Sequence, residues 1–462
     1  MMKEFYDIVF VGNTSIDKKQ CVNGKYVETL GGSAFNSYCA TLAVDKQQNN
    51  KIYSNFLNNL KYINLNNRIY SPNYFYIDEK QNICLSDIKS IVKLEKNFNC
   101  KHLHISIRKG IDFRSFLDSE IEYETLSIDV MIHSVEEYVD DIKEFASKID
   151  FLFCNMQEYE FLKNIEIKGV FIITNEQNPV KIYYNKDKND YYDVPKIKTI
   201  KSTTGAGDSF IGGFLSEYIK SKNIDMSVES GIKCSQICLK LYSNEQFKNK
   251  KITKKTVTFK LPQKIIIIGP SCAGKSFISK KLQEKWPLYK IYDDLEVLKE
   301  RVEIDNSLSL GANLHYYKNL KFDTPKTQKM GNGTFKIIDE SLWKEVIEII
   351  CKVCSKYSII EFSRGTTSNS KEEQRKVYIE YLNYIKNIFK NDKIIVLFVD
   401  KNYKRRLKRN IKRKQTGGHE VDIETFKTYY KFSCKPASYK NVLKINSNLN
   451  IDKIIKKIGG KI

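Results

Sequence analysis

The stretch that most constrains this chain is Lys201-Ser-Thr-Thr-Gly-Ala-Gly-Asp-Ser-Phe-Ile-Gly-Gly-Phe-Leu215. Thr203 and Thr204 are helix-capping residue types, and Gly205, Ala206 and Gly207 allow a tight backbone turn. From Asp208 onward Phe210, Ile211, Phe214 and Leu215 recur at helical spacing, so a helix is expected to start there. Amide groups at a helix start point outward and the helix dipole favours negative charge, so the turn Thr204–Gly207 is suited to hold an anion. Asp208 falls in the first helical turn beside that anion, where a carboxylate can take the proton of a hydroxyl nucleophile. The combination suits phosphoryl transfer from a nucleotide to an alcohol. The alternative is a plain helix start with a flexible turn, and Gly-Ala-Gly by itself does not decide between the two.

A chain of 462 residues is expected to form two or three domains. Asp7–Gly12 reads as a buried first strand ending in a glycine turn, with Asp17 following. Further strands are expected at 102–107, 125–130, 151–154 and 170–174, with helices between them. Such alternation implies an α/β fold with a mostly parallel sheet. From about 47 to 100 the chain is rich in Asn and Tyr and carries no functional signal. The run Leu30-Gly-Gly-Ser-Ala-Phe-Asn36 is a glycine turn leading into a helix of small residues, and Asn36 offers both a donor and an acceptor.

Taken in order, Asp17, Gly31-Gly32, Asn36 and the 201–215 run closely resemble the signatures of the PfkB (ribokinase-like) family of sugar and nucleoside kinases. The resemblance covers roughly residues 5–245 and implies a ribokinase-like α/β/α sandwich that uses ATP and Mg²⁺. It further implies that Asp17, Gly31, Gly32 and Asn36 hold substrate hydroxyls and that Asp208 is the base. Thr204, Gly205, Ala206 and Gly207 would then hold the phosphoryl anion. Asn155-Met-Gln-Glu158 resembles the family's Asn-x-x-Glu motif, which organises magnesium and phosphate; on its residues alone it is equally a helix cap with a solvated Glu. Three departures stand out. Thr174-Asn-Glu-Gln-Asn-Pro179 occupies the place of a Thr-x-Gly-x-x-Gly nucleotide contact, Ser202 replaces an Asp, and the short span from Asp17 to Gly31 predicts a minimal lid.

The polar, basic run at 243–255 marks the boundary, with a first domain at 1–245, a linker at 246–262 and a second domain at 263–462. There, Lys264-Ile-Ile-Ile-Ile-Gly-Pro-Ser-Cys-Ala-Gly-Lys-Ser276 fits the P-loop pattern in a strand–loop–helix context. Gly269, Ser271, Ala273 and Gly274 would cradle phosphates, Lys275 would reach the β- and γ-phosphates, and Ser276 would ligate Mg²⁺. The expected fold is a P-loop NTPase α/β/α domain with a parallel sheet, similar to small-molecule kinases of that class. Asp293 and Asp294 end a second strand, and Glu361 and Arg364 end a third; these are candidates for base, metal or substrate phosphate, or for strand-end salt bridges. Arg405, Arg406, Arg409 and Arg413 share one face of a basic helix that resembles the arginine-bearing lid of such kinases, with a glycine hinge at 415–420.

Charge is unevenly placed. Residues 251–462 carry 45 Lys+Arg and 22 Asp+Glu, so 45 − 22 = +23, while residues 1–250 carry 77 − 45 = 32 and 55 − 22 = 33, giving −1. That asymmetry points to a phosphate-rich substrate or a nucleic acid for the second half. Eleven scattered cysteines suit a reducing, cytoplasmic setting, and Cys351-x-x-Cys354 reads as a helix face rather than a zinc site. No signal-peptide pattern or membrane-length apolar run is present, so no membrane partner is expected. The expectation is a bifunctional phosphotransferase. Its alternatives are a nucleic-acid-modifying kinase with an accessory first half, or a nucleic-acid-binding regulator with a sensing domain.

Overall fold

The computed structural model describes residues 4–20, 26–54, 73–77, 83–87, 91–95, 97–185, 188–241, 244–252, 258–306, 315–317, 324–329, 335–363, 371–415, 421, 423–431, 435–436, 442–446 and 448–461. The chain divides into two compact units, Met1–Leu261 and Pro262–Ile462. Among the described residues, no helix is long and apolar enough to cross a membrane.

The first unit opens with β1 (Phe5–Val11), β2 (Ser15–Gln20), β3 (Tyr26–Gly31), α1 (Ser33–Val44) and β4 (Asn50–Tyr53). It continues through β5 (Asn73–Ile77), β6 (Ile83–Asp87), β7 (Asn99–Ile107), α2 (Arg114–Leu117), β8 (Glu122–Val130) and α3 (Val135–Glu144). Then come β9 (Phe151–Asn155), α4 (Met156–Leu162), β10 (Val170–Thr174), β11 (Val180–Tyr183), β12 (Asn189–Tyr192), α5 (Ala206–Ser221) and α6 (Ile224–Cys238). Eight strands form one sheet in the order β12-β11-β10-β9-β8-β7-β1-β4. From β4 to β10 the pairing is parallel, and β11 and β12 close one edge antiparallel.

Alternation along β1 explains the sandwich. Ile8 and Phe10 pack into a core shared with α1, α5 and α6, while Val9 and Val11 pack with α2, α3 and α4. Gly212 sets how closely α5 approaches α1: a Cβ there would lie 1.9 Å from the Ser37 carbonyl oxygen. That close crossing brings the first turns of the two helices together.

A second sheet, ordered β3-β2-β5-β6, carries Asp17 on β2 and ends at Gly31 on β3. It corrects the expectation of a minimal lid. The short span supplies only two strands, and β5 and β6 come from the Asn- and Tyr-rich stretch that gave no signal. The segment read as a linker is likewise partly built into this unit. Phe247 is buried, the Ile252 amide donates to the Ala43 carbonyl, and Phe259 and Leu261 bond to the chain around β12. Isolated apolar residues in a polar run carry that packing, which periodicity alone does not reveal.

The second unit contains β13 (Lys264–Ile268), α7 (Lys275–Lys285), β14 (Lys290–Asp293), α8 (Asp294–Asn306), β15 (Thr327–Lys329), β16 (Phe335–Ile337) and α9 (Leu342–Val353). It ends with β17 (Ser358–Phe362), α10 (Lys371–Ile388), β18 (Ile394–Asp400), α11 (Tyr403–Gln415), α12 (Ile423–Tyr429), β19 (Val442–Asn446) and α13 (Ile451–Gly459). Its main sheet is ordered β14-β17-β13-β18-β19 and is parallel throughout. The fully buried Ile265–Ile268 run occupies the centre. Because the chain passes from β17 to β18 across β13, the carboxyl end of β13 is a topological switch point, where such sheets open a crevice. Cys351 is buried in this unit's core and Cys354 follows at the end of α9, without a second ligand pair among the described residues.

Candidate functional site

In the first unit the site is assembled where α1 and α5 begin. Gly205 caps α5 with φ +79°, and Asp208 lies in the first turn. The Asn36 side-chain amide donates to the Asp208 carboxylate at 2.9 Å, and the Ser37 hydroxyl donates to the Asp208 carbonyl at 3.0 Å. Asn36 is itself oriented by Asn244, whose amide donates to its side-chain oxygen at 2.6 Å. A side chain at Gly205 would meet both amides, at 2.5 Å from Asn244 and 2.8 Å from Asn36. Ser202 supplies an oxygen to the Thr204 amide at 3.3 Å, the Ala206 amide bonds back to Thr203, and the Cα of Gly207 faces open space.

Asp17 joins this group through Gly31. The Asp17 carboxylate is buried, accepts from the Ser15 hydroxyl at 2.8 Å, and lies where a Cβ on Gly31 would be, at 2.1 Å. Gly32 caps α1 and its carbonyl accepts from the Asn36 amide. Asp17, Gly31, Gly32, Asn36, the 204–207 turn and Asp208 therefore form one continuous set of contacts. Asn244 was invisible to sequence reasoning, since it lies in the polar run that read as a boundary.

Charges below the turn were also missed. Arg108, just past β7, pairs with Asp129 on β8, and its charge acts on both Asp208 and Glu158. His104 Nε2 lies 3.2 Å from Asp129, and its Nδ1 is 2.8 Å from the Ser127 hydroxyl. Ser127 in turn bonds His102, whose other nitrogen reaches Thr125 at 2.7 Å. The signal was there: His102, His104 and Ser106 alternate with apolar residues along β7, opposite Thr125, Ser127 and Asp129 on β8. Burial raises the Asp208 carboxyl above the ordinary carboxylate range; Arg108 and the Asn36 bond pull it back, while Asp129 adds to the rise. Burial likewise raises Glu158, to about 7.

Asn155 and Glu158 close a capping box at the start of α4. The Asn155 side-chain oxygen accepts from the Gln157 and Glu158 amides, at 2.8 and 2.9 Å, and Glu158 accepts from the Asn155 amide at 2.8 Å. With both lone pairs taken, Asn155 has none for a metal, which corrects its assignment as a magnesium ligand. Glu158 is buried rather than solvated. The Asn155 side chain therefore does not fit direct magnesium ligation, whereas Glu158 remains a hard oxygen donor. In the degenerate nucleotide turn, Glu176 holds φ +48°, a left-handed backbone at the place where the family pattern has glycine.

In the second unit the loop after β13 turns at Gly269, φ +153°, and Gly274, φ +105°. A Cβ at Gly269 would lie 2.4 Å from the Val399 carbonyl oxygen. Lys275 is buried, and its ammonium donates to the carbonyls of Gly269 and Pro270, at 3.1 and 3.3 Å, and to the Ser363 hydroxyl. Ser276 donates to Glu361 at 2.9 Å. Asp293 stands opposite Glu361 in the β14–β17 register, and Asp294 accepts from the Ser363 amide at 2.5 Å. Burial, reinforced by Asp293, raises both Asp294 and Glu361 above the usual carboxylate range. Within the loop the Ala273 amide bonds the Pro270 carbonyl, and Ser271 is partly buried beside Cys272. Among the described residues, no three His, Cys, Asp or Glu side chains converge as a metal-binding group. Ser276, Glu361 and Asp293 are nonetheless hard oxygen donors of the kind Mg²⁺ accepts alongside substrate phosphates.

The basic helix splits into two kinds of arginine. Arg409 donates to the Cys272 carbonyl of the glycine loop at 3.4 Å, and Arg405 and Arg413 are exposed. Arg406, expected on the same face, is instead buried. It donates to the carbonyls of Lys401, Tyr430 and Lys431, with its guanidinium over the rings of Tyr403 and Phe426. Arg364 and the glycines of the 415–420 hinge lie outside the described residues.

Residues 59–247 match the model of the pfkB family carbohydrate kinases. Over 150 residues the chain is 27% identical to adenosine kinase 2 of Arabidopsis thaliana; the match takes in 32% of this chain and 40% of the relative's length. Among solved structures, it is similar to adenosine kinase from Anopheles gambiae in complex with P1,P4-di(adenosine-5) tetraphosphate, with 15% identity and a TM-score of 0.45 over 53% of this chain and 98% of that one. It is also similar to the nucleoside kinase of Methanocaldococcus jannaschii, with 19% identity and a TM-score of 0.42 over 53% and 95% of the two chains. The match to the pfkB family model falls within the first unit, whose main sheet is mostly parallel α/β.

Proposed function

We propose that the first unit phosphorylates the hydroxyl of a sugar or nucleoside with ATP. The carrying observation is the Asn36–Asp208 bond beneath the left-handed Gly205 turn. It sets a carboxylate beside outward-pointing amides at a helix start. Asp208 takes the acceptor proton, the 204–207 amides hold charge on the transferring phosphoryl, and Asp17 and Asn36 orient the acceptor. The named relative, an adenosine kinase, favours a nucleoside among the acceptors.

The second unit reads as a P-loop phosphotransferase for a nucleoside- or nucleotide-type acceptor, which makes the chain bifunctional. Lys275, buried in its glycine loop, exchanges the carbonyls of Gly269 and Pro270 for phosphate oxygens when ATP binds. Ser276, Glu361 and Asp293 would hold Mg²⁺, which when bound neutralises charge between the terminal phosphates. Asp294 or Glu361 serves as base, and Arg409 stands ready at the loop. The excess of +23 over residues 251–462 favours a second reading, a nucleic-acid acceptor with the first half accessory. The scattered cysteines support a reducing, cytoplasmic setting as part of this reading.

The test is transfer from γ-labelled ATP to sugars and nucleosides, to mononucleotides and to oligonucleotides, with Asp208→Ala and Lys275→Ala alongside. Two small-molecule products, each lost in a different variant, establish the bifunctional enzyme. Labelling of oligonucleotides alone, abolished only by Lys275→Ala, establishes the nucleic-acid kinase instead.

A further inference from the structure

Arg108 does something in the first unit that the sequence signatures do not assign. Its Nη2 donates to the Asp129 carboxylate, and the ring of His104 lies beside the other Asp129 oxygen, with Nε2 at 3.2 Å. His104 is fixed by Ser127, and both are fully buried. The guanidinium is thus pinned at the carboxyl end of β7 by a chain of buried groups running back into the sheet. Its Nε is buried and has no hydrogen-bond partner among the described residues. The side chain is still 15% exposed, so it borders open space rather than closed core.

A guanidinium present only to neutralise Asp129 would spend its remaining donors on backbone carbonyls, as Arg406 does in the second unit with three of them. Arg108 does not. Its charge acts on three carboxylates, Asp129, Asp208 and Glu158, and among the described residues it hydrogen-bonds Asp129, leaving Asp208 in the first turn of α5 unbonded by it. Such a group has the geometry of a cation waiting for an anion. Planar, always-charged donors in a water-poor site suit the spread charge of a transferring phosphoryl group.

We propose that Arg108 is a catalytic residue of the first unit, its free donors meeting the oxygens of the transferring phosphoryl, with Asp129 as its positioning residue. This rests on the kinase reading of that unit. In the step itself the acceptor oxygen gives its proton to Asp208 and forms the new O–P bond. The bond from the γ-phosphorus to the bridging oxygen breaks, and its electron pair leaves with ADP. Arg108 makes and breaks no covalent bond; it holds the three non-bridging oxygens while their charge is greatest.

The experiment measures initial rates with γ-labelled ATP against adenosine, D-ribose and D-fructose, for the full chain, Arg108→Met and Asp129→Asn, each checked for its melting temperature. Arg108→Met is expected to lower kcat on the order of a hundred- to a thousand-fold, with KM for the acceptor changed about threefold or less. Asp129→Asn, which frees the guanidinium, is expected to lower kcat about tenfold or more, and is read in place of Arg108→Met if that variant does not fold. An undiminished kcat, or a loss carried wholly by KM, overturns the role of Arg108 alone. A native chain that labels none of the three acceptors brings down the kinase reading and the inference with it.

Discussion

Asn36 and Asp208 lie 172 positions apart in the chain and 2.9 Å apart in the fold, with the amide donating to the carboxylate. A hydrogen bond to the charged form of an acid lowers its pKa, here against a rise caused mainly by burial. Removing it in Asn36→Ala raises the Asp208 pKa further. Because the base acts when deprotonated, the acid limb of kcat/KM against pH moves to higher pH in the variant. Asp208→Ala lowers the first unit's transfer by roughly a hundred- to ten-thousand-fold. An Asn36→Ala profile that stays in place, or moves to lower pH, contradicts this account.

Gly205 and Gly207 respond oppositely to alanine. At φ +79°, Gly205→Ala strains the backbone by roughly 1–2 kcal/mol and drives its Cβ into the amides of Asn36 and Asn244. Both stability and transfer fall. A Cβ at Gly207 meets nothing within 4 Å among the described residues, and the position is helical, so Gly207→Ala raises stability by about 0.5–1 kcal/mol. Thermal melts of the two variants decide.

Glu158 carries a pH signature. Its carboxyl is lifted from the ordinary 4.5 to about 7, chiefly by burial, so the folded chain binds a proton there that the unfolded chain has lost. Its contribution to stability is therefore complete below the unfolded value and is lost as pH rises through about 7. Glu158→Gln keeps the capping box and removes that slope. Urea unfolding across this range is expected to show the variant gaining on the native chain as pH rises, by about 3 kcal/mol at most. A constant difference between the two would refute the assignment.

Lys275→Ala is expected to abolish transfer by the second unit and leave the first unit's transfer intact, read with one acceptor for each. The variant also leaves the Gly269 and Pro270 carbonyls short of a donor, so the second unit's stability falls by about 1–3 kcal/mol. Loss of both activities together would show that the loop serves the chain as a whole.

Two neighbouring arginines separate structure from function. Arg406→Ala strips three backbone carbonyls of a buried charged donor and empties the space over Tyr403 and Phe426. A loss of roughly 3–5 kcal/mol is expected. Arg405 is exposed, and Arg405→Ala changes stability by about 0.5 kcal/mol or less. Equal melting temperatures would place Arg406 on the lid face after all.

Much of both sheets was legible because the central strands are continuous apolar runs. Val170–Thr174 and Ile265–Ile268 read as strands from composition alone, and the glycine turns announced the two helix starts that follow. The edges were not legible. β5 and β6 lie in a Tyr- and Asn-rich stretch without a clean period; β5 becomes a strand by pairing with β2, and β6 by pairing with β5. Local motifs gave Asp208, Asn36, Lys275 and Ser276 their places, since each lies on a turn whose geometry its own neighbours dictate. Arg108, Asp129 and Asn244 reach the site only through strand register and helix packing, which no window of sequence contains. The arginine face failed for a related reason: helical spacing shows which residues share a side, not which one turns inward.

The polar ladder between β7 and β8 also bears on how the first unit folds. Two adjacent parallel strands made only of apolar residues align almost equally well in several registers. Here His102 meets Thr125 and His104 meets Ser127 in a single alignment. Slipping by one residue would set those imidazoles against Leu126 and Ile128, stranding buried nitrogens at roughly 1–3 kcal/mol each. The ladder thus works as a key cut into an otherwise greasy interface, admitting one alignment of the chain and rejecting its near neighbours before any ligand is present.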